Sequence, residues 1–387
     1  MKKRCCNTIQ ITNNFNDFGF NKVRVGAYDL LFQVNIAGGG ALAGASVTIN
    51  GETQVTNALG QTSFEIAPGT YPYTVVLADY TTINSNVVVV GDQTETVNMY
   101  VAGILDLYPN AGAAYSLRRL RSAYAGDTVR VRRSSDNAEL DIGFVLDTGN
   151  YVLDSASLAT FCAATDGFIV TWYDQSVVGL DVTQGVAALQ PQIVVAGVVN
   201  LLNGDPSILW GVSANKKLVS VGNFACATSF SAACVFSTVK RLGQYTKLFS
   251  IGTDLIGSGY FYTTLTSGAA QDWLAEDTTF GGKGFGTGAN PRIVTLGRKL
   301  TDNIQYVTFG VLSSANAKLF INATETTYRI QAVGNSDAVA QSLIIGNATS
   351  NVNQLVGNSQ EIILYPSDQN VNQLSIRTNQ NTFYGAY

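Results

Sequence analysis

The stretch Ala45-Ser46-Val47-Thr48-Ile49-Asn50-Gly51, continued by Gln61-Thr62-Ser63-Phe64-Glu65-Ile66-Ala67-Pro68-Gly69-Thr70-Tyr71-Pro72-Tyr73-Thr74-Val75-Val76-Leu77, decides the fold class of this chain. Val47 and Ile49, Phe64 and Ile66, and Tyr73, Val75 and Leu77 fall on alternate positions, the period of a half-buried strand. Asn50-Gly51 is a two-residue hairpin signal and Pro68-Gly69 a turn signal. Further β-rich runs flank these, at Leu30–Ile36, Asn86–Val90 and Glu95–Val101. Residues 26–104 are therefore expected to form a small all-β sandwich.

Charge marks the same boundaries. Residues 1–25 carry Lys2, Lys3, Arg4, Lys22 and Arg24 against Asp17, whereas residues 26–103 hold six acids and no Lys or Arg. The remainder is nearly neutral. The run from Thr56 to Tyr71 resembles the carboxypeptidase-regulatory-like and pilin B-type modules, which implies a seven-stranded immunoglobulin-like spacer. With no lysine, it lacks the means to form the Lys–Asn crosslink common in pilin modules. Residues 1–25 read as a docking arm, in which Ile9, Ile11, Phe15, Phe18 and Phe20 are apolar groups that a solvated tail would not need.

At 387 residues and 46% hydrophobic content, the chain fits two or three domains with a large core. It contains no histidine, which excludes Ser-His-Asp, Cys-His and His-metal chemistry. A formal net charge of −4 gives no support for coating nucleic acid, and no apolar run is long enough for a membrane span. The basic start is not followed by a signal-peptide core, so folding in a cytoplasm is expected. Cys5, Cys6, Cys162, Cys226 and Cys234 lack metal-ligand spacing. Cys226 and Cys234 are placed to pair across neighbouring strands or to stay as buried thiols, and thiols are the expectation. No cofactor is implied.

Beyond residue 105, Ala113, Leu117, Leu120 and Tyr124 have helical spacing, ended by Gly126, and predict a helix. Leu158, Phe161 and Cys162 predict a second, capped by Asp154 or Ser155. Nine β-rich runs follow: Ala233–Val239, Thr246–Ile251, Tyr260–Leu265, Ile293–Leu296, Tyr306–Leu312, Ala317–Ile321, Thr326–Gln331, Ser342–Ile345 and Glu361–Leu364. They predict a double-sheet jelly roll over residues 105–387, with a closing helix at Asp368–Asn381.

The segments Tyr115-Ser116-Leu117-Arg118-Arg119-Leu120, Val131-Arg132-Arg133-Ser134-Ser135-Asp136-Asn137, Asp141-Ile142-Gly143 and Thr171-Trp172-Tyr173-Asp174-Gln175-Ser176 carry the sharpest signal. Together they resemble the catalytic domain of the arabinofuranosidase B family, which implies a concanavalin-like jelly roll. The order of modules also resembles structural proteins of tailed, notably crAss-like, bacteriophages. Six arginines, Arg118, Arg119, Arg121, Arg130, Arg132 and Arg133, form either an anion patch or bidentate forks with Asp136, Glu139 and Asp141. Forks are the expectation.

A retaining glycosidase needs two carboxyl groups about 5 Å apart. The resemblance implies a nucleophilic Glu on a strand that best matches Gly257–Thr264, which has no acid; Glu276 lies nearby in a different context. The acid/base position falls near Gly288-Ala289-Asn290-Pro291, where an amide cannot cycle a proton. Gly204-Asp205-Pro206 carries the family tripeptide some 80 residues too early. The family's second cysteine, five positions after Cys162, is here Gly167.

These readings lead to a mainly β chain with no catalytic residues: an immunoglobulin-like sandwich followed by a concanavalin-like jelly roll with a few short helices. The expected function is a head or tail fibre on the virion surface, a homotrimer docked to capsid or tail proteins through residues 1–25. Tyr260, Tyr262, Asp272 and Trp273 are the candidate surface for host glycan. The alternatives are an active arabinofuranosidase or glycan depolymerase, and a bacterial surface lectin or adhesin. Nucleic acid and membrane insertion are not expected.

Overall fold

The computed structural model describes residues 26–211, 216–226, 229–238, 245–251, 261–264, 278–281, 292–295, 303–313, 317–325, 328–332, 339–346 and 355–387. The chain divides into two compact units. One ends at Met99; the other carries Tyr100–Tyr387 together with Ile36–Gly39 and Asp79–Thr81.

The first unit holds seven strands: β1 (Tyr28–Ile36), β2 (Ser46–Ile49), β3 (Glu52–Val55), β4 (Gln61–Ile66), β5 (Gly69–Val76), β6 (Ile83–Val89) and β7 (Gln93–Met99). They form two sheets, ordered β4-β1-β7 and β3-β2-β5-β6. The alternation read from sequence is the alternation seen: Leu30, Phe32, Val34, Val47, Ile49, Phe64, Ile66, Tyr73 and Val75 are buried. Phe32 packs edge-on against Phe64 in its own sheet and Tyr73 in the other, at 5.8 and 5.0 Å. Each such side chain contributes about 1.5–3 kcal/mol by leaving water. Asn50 and Gly51 both take positive φ, as a type I′ hairpin turn requires. β3 was not among the sequence-read strands because it is polar and has a single neighbour at the sheet edge. Gly60 has φ +72, and a β-carbon there would collide with the Val34 carbonyl.

The second unit begins with α1 (Ile104–Leu107), β8 (Ala113–Ser116), β9 (Val129–Arg133), β10 (Glu139–Ile142), β11 (Phe144–Asp147), β12 (Asn150–Leu153) and α2 (Ser155–Cys162). Next come β13 (Gly167–Trp172), β14 (Val182–Thr183), β15 (Gln192–Val195), β16 (Val198–Val199), β17 (Leu201–Leu202), β18 (Asp205–Pro206) and β19 (Ile208–Trp210). The long strands β20 (Lys217–Cys226) and β21 (Phe230–Thr238) follow, then β22 (Tyr245–Lys247), β23 (Phe249–Ile251), β24 (Phe261–Thr264), β25 (Thr278–Gly281) and β26 (Arg292–Thr295). The chain closes with β27 (Tyr306–Leu312), β28 (Ala317–Ile321), β29 (Thr324–Glu325), β30 (Tyr328–Ala332), β31 (Val339–Gly346), β32 (Gly357–Tyr365) and α3 (Gln373–Tyr384).

The main sheet runs β23-β31-β20-β14-β13-β15-β19-β32-β21-β27-β28-β29, and β22-β24-β25-β26-β30 form a second. The main sheet folds back on itself: Phe230 of β21 meets Phe224 of β20 and Phe249 of β23, rings 6.0 and 6.3 Å apart. Between these layers lies one core that includes Tyr115, Trp172, Trp210, Ile362 and Leu364. Ile363, Tyr365, Ala233 and Phe309 point the other way, into a second core closed by Ile104 of α1 and Ile376 of α3. The chain is mainly β, a rolled β-sandwich with short helices, as the sequence predicts.

Two helix expectations need correction. Residues 113–124 are not a helix. Ala113–Ser116 is a strand paired with β32, with Ala113 and Tyr115 in one core and Ala114 in the other. Of the stripe, only Ala113 lies in this strand; Leu117 and Leu120 are buried from the irregular segment that follows it, one in each core. The closing helix starts at Gln373, not Asp368, because the Asp368 carboxylate is engaged by the Asn370 amide and the Ser313 hydroxyl. α2 fits its expectation, with Asp154 accepting from the Ser157 amide. All nine β-rich runs fall on strands, although Thr246–Ile251 divides into β22 and β23.

Candidate functional site

The candidate glycan residues Tyr260, Asp272 and Trp273 lie outside the described residues, as do the arm residues Ile9, Ile11, Phe15, Phe18 and Phe20. Tyr262 is in β24, opposite Lys247 and Thr279. Glu276 and Asn290-Pro291 are also outside. The sharpest motifs, by contrast, are fully described.

Thr171-Trp172-Tyr173-Asp174-Gln175-Ser176 works as a clasp. Asp174 is buried at the end of β13, and its Oδ1 accepts from the amides of Ala114 and Ser176 at 2.7 and 2.9 Å. Its Oδ2 accepts from the Ser176 hydroxyl and the Leu180 amide, both at 2.7 Å. Gln175 Nε2 donates to the carbonyls of Ser116 and Arg118, and its Oε1 accepts from the Leu120 amide. Tyr115 donates to the Leu180 carbonyl at 2.5 Å. Four backbone groups of segment 114–120, the amides of Ala114 and Leu120 and the carbonyls of Ser116 and Arg118, are thus satisfied by two side chains. An Asp so engaged has neither oxygen free to attack or protonate a substrate.

Arg130 and Arg133 form carboxylate forks as expected; Arg119, Arg121 and Arg132 do not. Arg130 holds Asp141 by two bonds at 2.9 and 2.6 Å, and Arg133 holds Asp136 at 2.8 and 2.7 Å. The hydrogen bonds from Arg130 keep the Asp141 carboxyl below the usual carboxylate range; those from Arg133 do the same for Asp136. Arg132 turns to Gln190 and Asn137 rather than to Glu139. Arg121 donates to the Gln175 and Ser176 carbonyls, and Arg119 stacks on Tyr151 with 3.6 Å to the ring centre. Arg121, Arg130, Arg132 and Arg133 are thus engaged by hydrogen bonds within the chain, and Arg119 by stacking, which counts against an anion patch.

Arg118 has a partner that the sequence did not indicate. Its Nε and Nη2 donate to Glu361 of β32 at 2.8 and 3.2 Å, and its Nη2 also reaches Asn379 at 2.9 Å. Ser116, Gln380 and Tyr384 donate to the same carboxylate. Phe383 covers the guanidinium at 4.7 Å. Burial opposes the Arg118 charge, but Glu361 more than offsets it and its pKa rises. Glu361 is wholly buried, so this carboxylate has no path to a polysaccharide.

Asp205 is the residue that deserves a chemist's interest. It follows a β17–β18 turn in which Asn203 and Gly204 have positive φ. Burial pushes its carboxyl up to about 6, against an opposing pull from Arg118. Packing around the carboxyl is the larger cause of this shift. The tripeptide Gly204-Asp205-Pro206 was visible in sequence; its burial was not.

Cys162 and Cys234 are buried free thiols, so Cys234 does not pair with Cys226. At Gly167 a β-carbon would lie 2.7 Å from Cys162 Sγ. The position that the resemblance assigns to a second cysteine is thus adjacent to the first.

Residues 99–197 match the family model described as alpha-L-arabinofuranosidase B, catalytic. The match is to a segment of the chain. A probable alpha-L-arabinofuranosidase B of Aspergillus flavus is 39% identical over 94 residues, covering 23% of this chain and 18% of that protein. The alpha-L-arabinofuranosidase B of Aspergillus oryzae gives the same values. The chain therefore spans under a fifth of the length of these curated relatives. A solved GH54 arabinofuranosidase superposes with TM-score 0.44 at 19% identity, over 71% of this chain and 63% of that one. The matched segment contains the clasp, the Asp136 and Asp141 forks and Arg118.

Proposed function

We propose that this chain is a non-catalytic structural protein of a bacteriophage particle, a head or tail fibre whose large unit binds host-surface carbohydrate. Residues 1–25 attach it to the assembly, and the small sandwich, immunoglobulin-like in its two-sheet plan, spaces the large unit outward. The non-catalytic part is carried by the sequence at the two expected catalytic positions, where Gly257–Thr264 has no acid and Asn290 stands before Pro291; the acids of the matched segment are engaged in the fold. Asp136, Asp141, Asp154 and Asp174 are each held by arginine, amide or hydroxyl donors. In the segment similar to arabinofuranosidases, these four acids position the chain. The phage setting is supported by the order of modules in the sequence.

A second reading, an active arabinofuranosidase, is favoured by the 39% identity to those enzymes and by the raised pKa of Asp205. One assay separates the two. Purified protein should release no sugar from arabinofuranosides or arabinan. Turnover that Glu276→Gln, Asp272→Asn or Asp205→Asn abolishes would install the enzyme. Glycan-array binding that is lost in Trp273→Ala supports the carbohydrate surface; binding unchanged by it would remove Trp273 from that role.

A further inference from the structure

The small sandwich has four edge strands, and three carry an acid: Glu52 in β3, Glu65 in β4 and Glu95 in β7. The fourth, β6, reads Ile83-Asn84-Ser85-Asn86-Val87-Val88-Val89, with no charge and no proline. Its ladder with β5 runs without a bulge from Gly69 opposite Val89 to Val75 opposite Ile83. Val88 is 57% exposed and the adjoining Val90 is 75% exposed. Among the described residues nothing pairs with the outer side of β6. Natural sheets block exposed edges with charge, proline or a bulge, because an unprotected edge recruits another strand. This edge has none of those devices.

We propose that the outer edge of β6 receives residues 1–25 of a second copy of this chain, added as a strand through Ile9 and Ile11. The inference rests on the reading of residues 1–25 as an assembly segment and names its partner. Charge favours this occupant over another sandwich. Residues 1–25 carry five basic groups against one acid, whereas residues 26–103 carry six acids and no base, so sandwiches repel each other and attract the arm. Ile9-Gln10-Ile11 has the alternation that an added strand needs. Twenty-five residues, at roughly 3.3 Å each when extended, reach well beyond one sandwich. The arm continues into β1, the central strand of the opposite sheet, so its own β6 lies on the other layer.

Two full-length variants test the idea. Val88→Lys/Val90→Lys blocks the edge at exposed positions and leaves the buried residues of the sandwich untouched. Ile9→Asp/Ile11→Asp disables the arm and leaves the edge intact. Light scattering and native mass spectrometry should show the parent chain as an oligomer and each variant alone as a monomer. A mixture of the two variants should form a 1:1 complex, because one supplies the arm and the other the edge. Raising NaCl from 50 to 500 mM should weaken the parent assembly about tenfold or more. A monomeric parent chain, or an oligomer that survives in either variant, overturns the proposal, as does a mixture that stays monomeric. Incorporation into particles is scored separately. Loss of incorporation in Ile9→Asp/Ile11→Asp without loss of self-association would sink this inference and leave the docking role intact.

Discussion

In β4 of the small sandwich, Thr62, Phe64 and Ile66 are buried while Ser63 and Glu65 face water; in β32 of the large unit every residue from Ser359 to Tyr365 is buried. The first strand has one core, so its sequence alternates. The second has a core on each side, and Ile362 and Leu364 enter one while Ile363 and Tyr365 enter the other. A strand with no solvent face has no place to leave a charge. Glu361 therefore needs a buried cation, and Arg118 supplies it. The same charge that costs nothing in β4 commits β32 to a long-range partner.

This contrast is sharpest under mutation. Arg118→Ala leaves Glu361 buried without its guanidinium and should cost about 3–5 kcal/mol. Glu65→Gln, on the solvent face of β4, should change stability by less than about 0.5 kcal/mol. Urea denaturation measures both, and a cost below about 1 kcal/mol for Arg118→Ala would break the comparison.

The clasp should rank next. Asp174→Asn keeps the shape but turns an amide NH2 toward groups that are themselves donors. At least one buried N–H then loses its acceptor, at about 1–3 kcal/mol. The midpoint of denaturation should fall accordingly, and an unchanged midpoint would mean that the clasp does not fix segment 114–120.

A smaller effect is expected at Asp205, and it depends on pH. Burial lifts its folded-state pKa to about 6 from the ordinary 3.8. The stability that its protonated form lends is full below the ordinary value and is lost as pH rises through 6. Asp205→Asn should therefore flatten the pH dependence between 4 and 8 and raise stability at pH 8 by about 1 kcal/mol, allowing for solvent screening. A variant less stable than the parent at pH 8 would show that the carboxylate itself is used.

The same division explains what was legible. Strands with one wet face were readable from alternation: all six runs read in the small sandwich are strands, and the polar edge strand β3 was not read. The stripe at Ala113, Leu117, Leu120 and Tyr124 misled because Leu117 and Leu120 enter two different cores from irregular chain after β8, and periodicity does not distinguish such burial from a helix face. Of the candidate glycan surface, three aromatic residues and Asp272, only Tyr262 falls within the described residues. Asp205 showed no local signal beyond its tripeptide, since a raised pKa depends on what packs around the carboxyl.

By itself the sequence determined the mainly β class, the acidic small module, and the local forks. Arg133 and Asp136 are three residues apart, and Arg130 and Asp141 face each other across the β9–β10 ladder, so backbone geometry alone brings them together. Tertiary structure decided the rest. Arg118 and Glu361 are 243 residues apart, and Asp174 reaches Ala114 across 60. Nothing local favours these pairs. They form because closing the rolled sheet takes their charges and backbone groups out of water, where each must find a partner or the core does not close.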